Sequence, residues 1–165
     1  MKSIFIRYSL ALLVALSSSI FSFFLLPLTM YTTYFLLRLF SSVQMIEGAL
    51  QFGEVRFLFI PACAATLAYI LLLECILLTR GISFQKALKM FFCGALAVFF
   101  MNVLRILLLI WVYVEYGKNY FDVLHILFWQ FVSVFFVVAV WIALVEYFHI
   151  KAIPMWSDVK DIFRN

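Results

Sequence analysis

Charge is what this chain has least of. Of 165 residues, 12% are Asp, Glu, Lys or Arg and 68% are hydrophobic, where a soluble domain carries roughly a quarter charged residues. With a mean hydropathy of +1.16, that shortage excludes a water-soluble globular domain and leaves an integral membrane protein. Cysteine is scarce too. The three cysteines, Cys63, Cys75 and Cys93, form no C-x-x-C pair, which excludes a disulfide framework, a zinc site and a thioredoxin-like redox motif. No cofactor or metal is expected. Proline and glycine, three and five in number, do not interrupt the apolar runs at matching positions, which speaks against the paired repeats of a typical transporter. The net charge of +4 comes from basic residues scattered at segment ends. Lipid headgroups and topology account for these, and no nucleic-acid partner is implied.

What the chain does have is long apolar runs, near the ~20 residues needed to cross a ~30 Å hydrocarbon layer. A membrane barrel would show alternating segments of ~10 residues instead. The expected fold is therefore an all-α integral membrane protein, one transmembrane domain over 1–165, with about four spans near 8–26, 62–78, 88–114 and 123–146. Pro27 is expected to stop the first. Residues 1–28 resemble a signal peptide, with Lys2 and Arg7 ahead of an apolar stretch. That stretch exceeds the usual h-region of about 7–15 residues, so it is read as a retained span. Residues 30–40 form an apolar run too short to cross, expected as a short interfacial helix. Residues 43–60 carry turn signals at Gly48 and Gly53-Glu54 between β-prone runs, which predict a small extracytoplasmic β-hairpin or three-stranded meander.

Orientation follows from the basic residues. With the N-terminus inside, Lys2, Arg7, Arg80, Lys86, Lys89, Lys151, Lys160 and Arg164 face the cytoplasm, and Arg38, Arg56 and Lys118 face outward. Arg105 belongs to neither group, because it sits inside an apolar run. Arginine at such a depth costs about 2.5–3.5 kcal/mol on insertion scales, so it is a functional-site candidate by default. Asn102 lies one helical turn earlier on the same face. Counting ~20 residues outward from each inner boundary puts Cys63 and Arg105 about one turn below the outer surface and His125 at it.

Each of these residues has a plain reading and a chemical one. Ile60-Pro61-Ala62-Cys63 places proline at the opening of a helix and Cys63 in its first turn, where unpaired backbone N–H groups favour the thiolate. Equally, a buried cysteine is a common small hydrophobe. His125 is an interfacial anchor or a proton shuttle. Asp122, three residues before it, is a helix cap first and a histidine-orienting carboxylate second. Arg105 is a structural ion-pair partner or a fixed cation, and Asn102 is interhelical glue or site support. Cys75 and Cys93 keep the hydrophobic reading, and Glu74 can reach headgroups or Lys86. Together, a thiolate, a proton shuttle and a cation are the parts of an acyl-transfer site, the cation stabilising the oxyanion. The alternatives are a small tetraspan transporter with Arg105 binding an anion, or a scaffold that pairs helices through Asn102 and Arg105.

Residues 43–148 resemble the exosortase/archaeosortase family of membrane-embedded sorting enzymes. The likeness rests on the turn-rich stretch ending in Ile60-Pro61-Ala62-Cys63, on Asn102-Val103-Leu104-Arg105-Ile106, and on His125. The chain departs from the family pattern at Ala64-Ala65, where serine or threonine and then glycine are usual, and at Phe128-Trp129, where a glycine is often found. The resemblance implies a cysteine protease/transpeptidase with Cys63 as nucleophile, Arg105 as oxyanion or thiolate stabiliser and His125 as general acid/base. It further implies exported protein substrates with a C-terminal motif, transmembrane helix and basic tail. The new carboxyl end would pass to a lipid or glycan acceptor. The expected location is the cell membrane, multi-pass, with both termini cytoplasmic and the site on the extracytoplasmic side.

Overall fold

The computed structural model describes residues 2–46, 48–79 and 81–150, the side chains of 2–5 excepted. Arg80, Lys151, Lys160 and Arg164, counted above toward the inner face, lie outside the described residues, as does Glu47. Among the described residues the chain is mostly helical: α1 (Lys2–Leu16), α2 (Ser18–Arg38), α3 (Thr66–Leu78), α4 (Phe84–Tyr116), α5 (Lys118–Leu127) and α6 (Ser133–Tyr147). Strands β1 (Gln44–Ile46), β2 (Ala49–Phe52) and β3 (Val55–Leu58) form an antiparallel sheet in the order β1-β2-β3. Met45 faces Leu50, and Gln51 faces Arg56. The expected turn residues make both hairpins: Gly48 (φ 77°) and Gly53 (φ 54°) take the left-handed conformation that glycine tolerates without strain.

Among the described residues three helices are long and apolar enough to cross a membrane: Ser18–Arg38, Phe84–Tyr116, and Lys118–Tyr147, which joins α5 and α6 through a π segment. Ile6–Leu16 and Thr66–Leu78 are shorter apolar helices. Several expected boundaries are corrected. Pro27 lies inside α2 instead of ending a span, and the chain turns earlier, at Ser17, whose N–H reaches the Val14 carbonyl. Residues 30–40 are accordingly no separate interfacial helix, because residues 30–38 are the second half of α2. Proline removes one helical hydrogen bond, and an apolar helix with no water to turn to keeps the rest.

The fold divides into two units. The first holds Met1–Ser18, Leu67–Val98 and Ser133–Asn165. Gly94 of α4 is closely packed: a Cβ there would lie 2.7 Å from Leu72 Cδ2 and 2.9 Å from Leu144 Cδ1. Leu72, Ile76, Met90 and Val137 are fully buried in this unit. Two basic side chains close helix ends whose carbonyls have no partner in their own helix. Arg7 donates to the carbonyls of Leu77 and Leu78 at the end of α3, and Lys86 Nζ donates to the Phe148 carbonyl beyond α6. Lys86 is thus engaged by a helix end, where a contact with Glu74 was one expectation.

The second unit holds Ser19–Thr66 and Phe99–Val132, that is α2, the sheet, the distal half of α4, α5 and the π segment. Its interior mixes apolar side chains such as Leu50, Ile106 and Leu109 with buried polar ones, and large apolar side chains are exposed on its surface. Thr29, Thr33, Asn102 and Arg105 are buried, while Phe23, Phe35, Leu104 and Tyr120 are each at least half exposed. A monomer in water rarely shows so much contiguous apolar surface. Thr33 Oγ1 donates back to the Thr29 carbonyl at 2.8 Å, and the Ser22 and Thr66 hydroxyls pair at 2.9 Å.

Candidate active site

All five residues singled out by the sequence, Cys63, Asn102, Arg105, Asp122 and His125, fall in the second unit. Cys63 sits in a single 3-10 turn, Pro61–Ala64. Proline at its start supplies a fixed φ and gives up no hydrogen bond. The turn does not run on into α3 as expected. Ala65 adopts a left-handed conformation (φ 50°, ψ 33°) and separates it from Thr66. The Cys63 N–H is also bonded, to the Ile60 carbonyl at 2.8 Å. Cys63 is therefore not among the free N–H groups of a long helix, and the dipole argument for its thiolate falls away. What remains is a half-buried thiol on a tight turn.

Asn102 and Arg105 share one face of α4 and are both more than nine-tenths buried. The Asn102 amide, Nδ2, donates to the backbone carbonyl of Cys63 at 2.7 Å. That bond ties the cysteine turn to α4 across 39 residues of sequence. Asn102 Oδ1 and Arg105 Nε are buried without a hydrogen-bond partner among the described residues. The Arg105 guanidinium lies within electrostatic reach of both Cys63 and His125. The buried cation thus influences the charge state of both the thiol and the imidazole.

His125 lies in the last turn of α5, about two turns into the helix Lys118–Tyr147. Asp122 is not a cap, because α5 starts at Lys118 with Gly117 as its N-cap. Glycine suits that place, its φ of 83° lying where side chains strain the backbone. Asp122 is exposed, one turn from His125 on the same helix and within its electrostatic reach. The imidazole stacks on Phe121 with ring centroids 5.5 Å apart and planes at 19°. Phe121 meets Tyr113 edge-on at 5.6 Å, Tyr113 meets Phe57 at 5.1 Å, and Phe57 meets Phe52 at 6.0 Å. An aromatic chain therefore runs from the β-sheet through α4 to the histidine. Directly after α5 the helix widens into a π segment, Phe128–Val132, a departure that costs helix geometry and often accompanies function.

Sequence reading takes Tyr113 as part of an aromatic belt with Trp111, Tyr116 and Tyr120 and assigns no role to Phe121 or Phe57. Their spacing carried a signal only for Phe121, one turn before His125 on the same helix. Among the described residues no group of His, Cys, Asp and Glu is arranged to hold a metal. No protein-family model, no curated protein and no solved structure matches the chain.

Proposed function

We propose that this protein is a membrane-embedded cysteine protease/transpeptidase of the exosortase type, with Cys63, Arg105 and His125 as its catalytic residues and Asn102 and Asp122 in support. The observation that carries the reading is the buried Arg105 in electrostatic reach of both Cys63 and His125. A buried cation whose Nε has no hydrogen-bond partner among the described residues, and whose charge acts on a thiol and an imidazole, is a charge combination that acyl transfer can use. In the reaction, the Cys63 thiolate attacks the carbonyl carbon of a substrate peptide bond. Arg105 holds the negative charge that builds on the carbonyl oxygen. His125 then gives its proton to the departing amine, leaving a thioester on Cys63. A hydroxyl or amine of a lipid or glycan acceptor, deprotonated by His125, displaces the thiolate and completes transfer.

The membrane setting is supported by three apolar helices of crossing length among the described residues and by the many large apolar side chains exposed on them. We infer a multi-pass protein of the cell membrane with cytoplasmic termini and the Cys63 turn on the extracytoplasmic side. Substrates would be exported proteins ending in a short motif, a transmembrane helix and a basic tail. The test is Cys63→Ala in cells that express a tagged protein with such a tail. Processing of the tag should stop while the variant accumulates to wild-type levels, and wild type should yield a hydroxylamine-sensitive thioester adduct. Unchanged processing in Cys63→Ala would refute the assignment.

A further inference from the structure

The bond between Asn102 and the nucleophile's own backbone goes beyond the catalytic trio. The 3-10 turn that bears Cys63 is packed through its buried Ala64 but is a short element between irregular ones. It is one turn long, is preceded by extended backbone at Ile60 (φ −107°, ψ 163°), and is followed by a left-handed alanine. Within the turn, Cys63 is fixed by its own N–H to Ile60, a local bond that sets the turn's shape but not its distance from α4. The bond that bridges to α4 is Asn102 Nδ2 to the Cys63 carbonyl. Asn102 is 4% exposed and stands on the rigid interior of a 33-residue helix, one turn from Arg105. Its amide therefore fixes the thiol relative to the guanidinium rather than merely joining two helices. A neutral donor is what the place requires. A carboxylate would repel the Cys63 carbonyl and neutralise Arg105.

We propose that Asn102 is the positioning residue of the Cys63 nucleophile, its side-chain amide clamping the cysteine turn so that the thiol stays in the field of Arg105. This rests on the reading of Cys63 as nucleophile, and the test separates the two. The probe is N-ethylmaleimide, applied to the full chain in detergent with Cys75→Ser and Cys93→Ser, so that Cys63 is the thiol labelled. Maleimides react with the thiolate. The rate near neutrality therefore reports ionisation and placement, and the rate at high pH, where thiols are ionised regardless, reports access.

Asn102→Leu keeps the volume and removes the donor without adding a charge that would itself act on the thiol. It should slow neutral labelling about tenfold, the effect of about one unit of ionisation, with the high-pH rate unchanged. Asn102→Gln keeps the amide on a longer arm and should recover part of the loss. Equal neutral rates in wild type and both variants overturn the role of Asn102 and leave Cys63 a reactive thiol. Slowing by the same factor at both pH values also overturns it, because that pattern is lost packing. Should wild-type Cys63 label no faster than free cysteine, the nucleophile itself is excluded and the positioning role goes with it.

Discussion

Replacing Arg105 by methionine should make the protein more stable and end its chemistry, and the two effects together distinguish an active site from a scaffold. Arg105 is 5% exposed in the apolar middle of α4, with Nε unpaired. At membrane depth an arginine costs about 2.5–3.5 kcal/mol on insertion scales, and a buried donor left without a partner costs about 1–3 kcal/mol. These overlap, since both count the same desolvation. Methionine keeps most of the stem's volume, so lost packing should stay under about 1.5 kcal/mol. The net expectation is a gain of about 2 kcal/mol, or about 4–8 °C in Tm for a chain of this size. Thermal unfolding of purified wild type and Arg105→Met in one detergent measures it, with maleimide labelling of Cys63 at neutral pH read in parallel. The reasoning is refuted if Tm falls by several degrees while Cys63 labelling stays at the wild-type rate. Arg105 would then be a packing residue whose guanidinium holds helices together.

Other substitutions probe the supports of the site and of the fold. Ala65→Gly should raise stability by about 1 kcal/mol, seen as a higher Tm, because a left-handed conformation costs an L-residue about 1–2 kcal/mol and glycine little. Phe121→Leu removes the ring stacked on His125 and should lower turnover of a tagged substrate at least about tenfold with expression unchanged, if the ring fixes the imidazole to the sub-ångström placement that acyl transfer requires. Gly94→Leu should destabilise by about 3 kcal/mol or more, read as a lower Tm, because even one carbon meets Leu72 and Leu144 under 3 Å. Arg7→Gln frees the last carbonyls of α3 and should cost about 1–3 kcal/mol by the same measurement.

The sequence made the apolar helices and the sheet legible for simple reasons. Runs of Leu, Phe and Val near crossing length admit few folds, and Gly48 and Gly53 occupy the two positions where the meander needs positive φ. Boundaries were less legible where a strong local signal met a weak local cost. Pro27 reads as a stop, yet it forfeits one hydrogen bond in a helix whose other backbone groups have nowhere better to go. Pro61 reads as a helix start, and it does start a turn. What the spacing does not encode is that the turn ends at Ala65, because nothing about an alanine announces a left-handed residue.

The site itself was legible as residue types and not as bonds. Arg105 stands out because the apolar environment makes a charge costly, and Asn102 stands out by its place on the same helix face. Neither fact says that Asn102 reaches a carbonyl 39 positions earlier in the chain, since a side chain's partner depends on which turn the fold lays against it. His125 shows the same division. Its imidazole is a proton carrier by chemistry, but its orientation is set by Phe121, Tyr113 and Phe57, drawn from three separate elements. Two of those elements also hold the other parts of the site: α4 carries Arg105 and Asn102, and β3 leads within five residues to Cys63. Tyr113 is therefore the point where the histidine support and the cation support share one helix. A change there should disturb both, whereas a change at Phe121 should disturb the histidine alone.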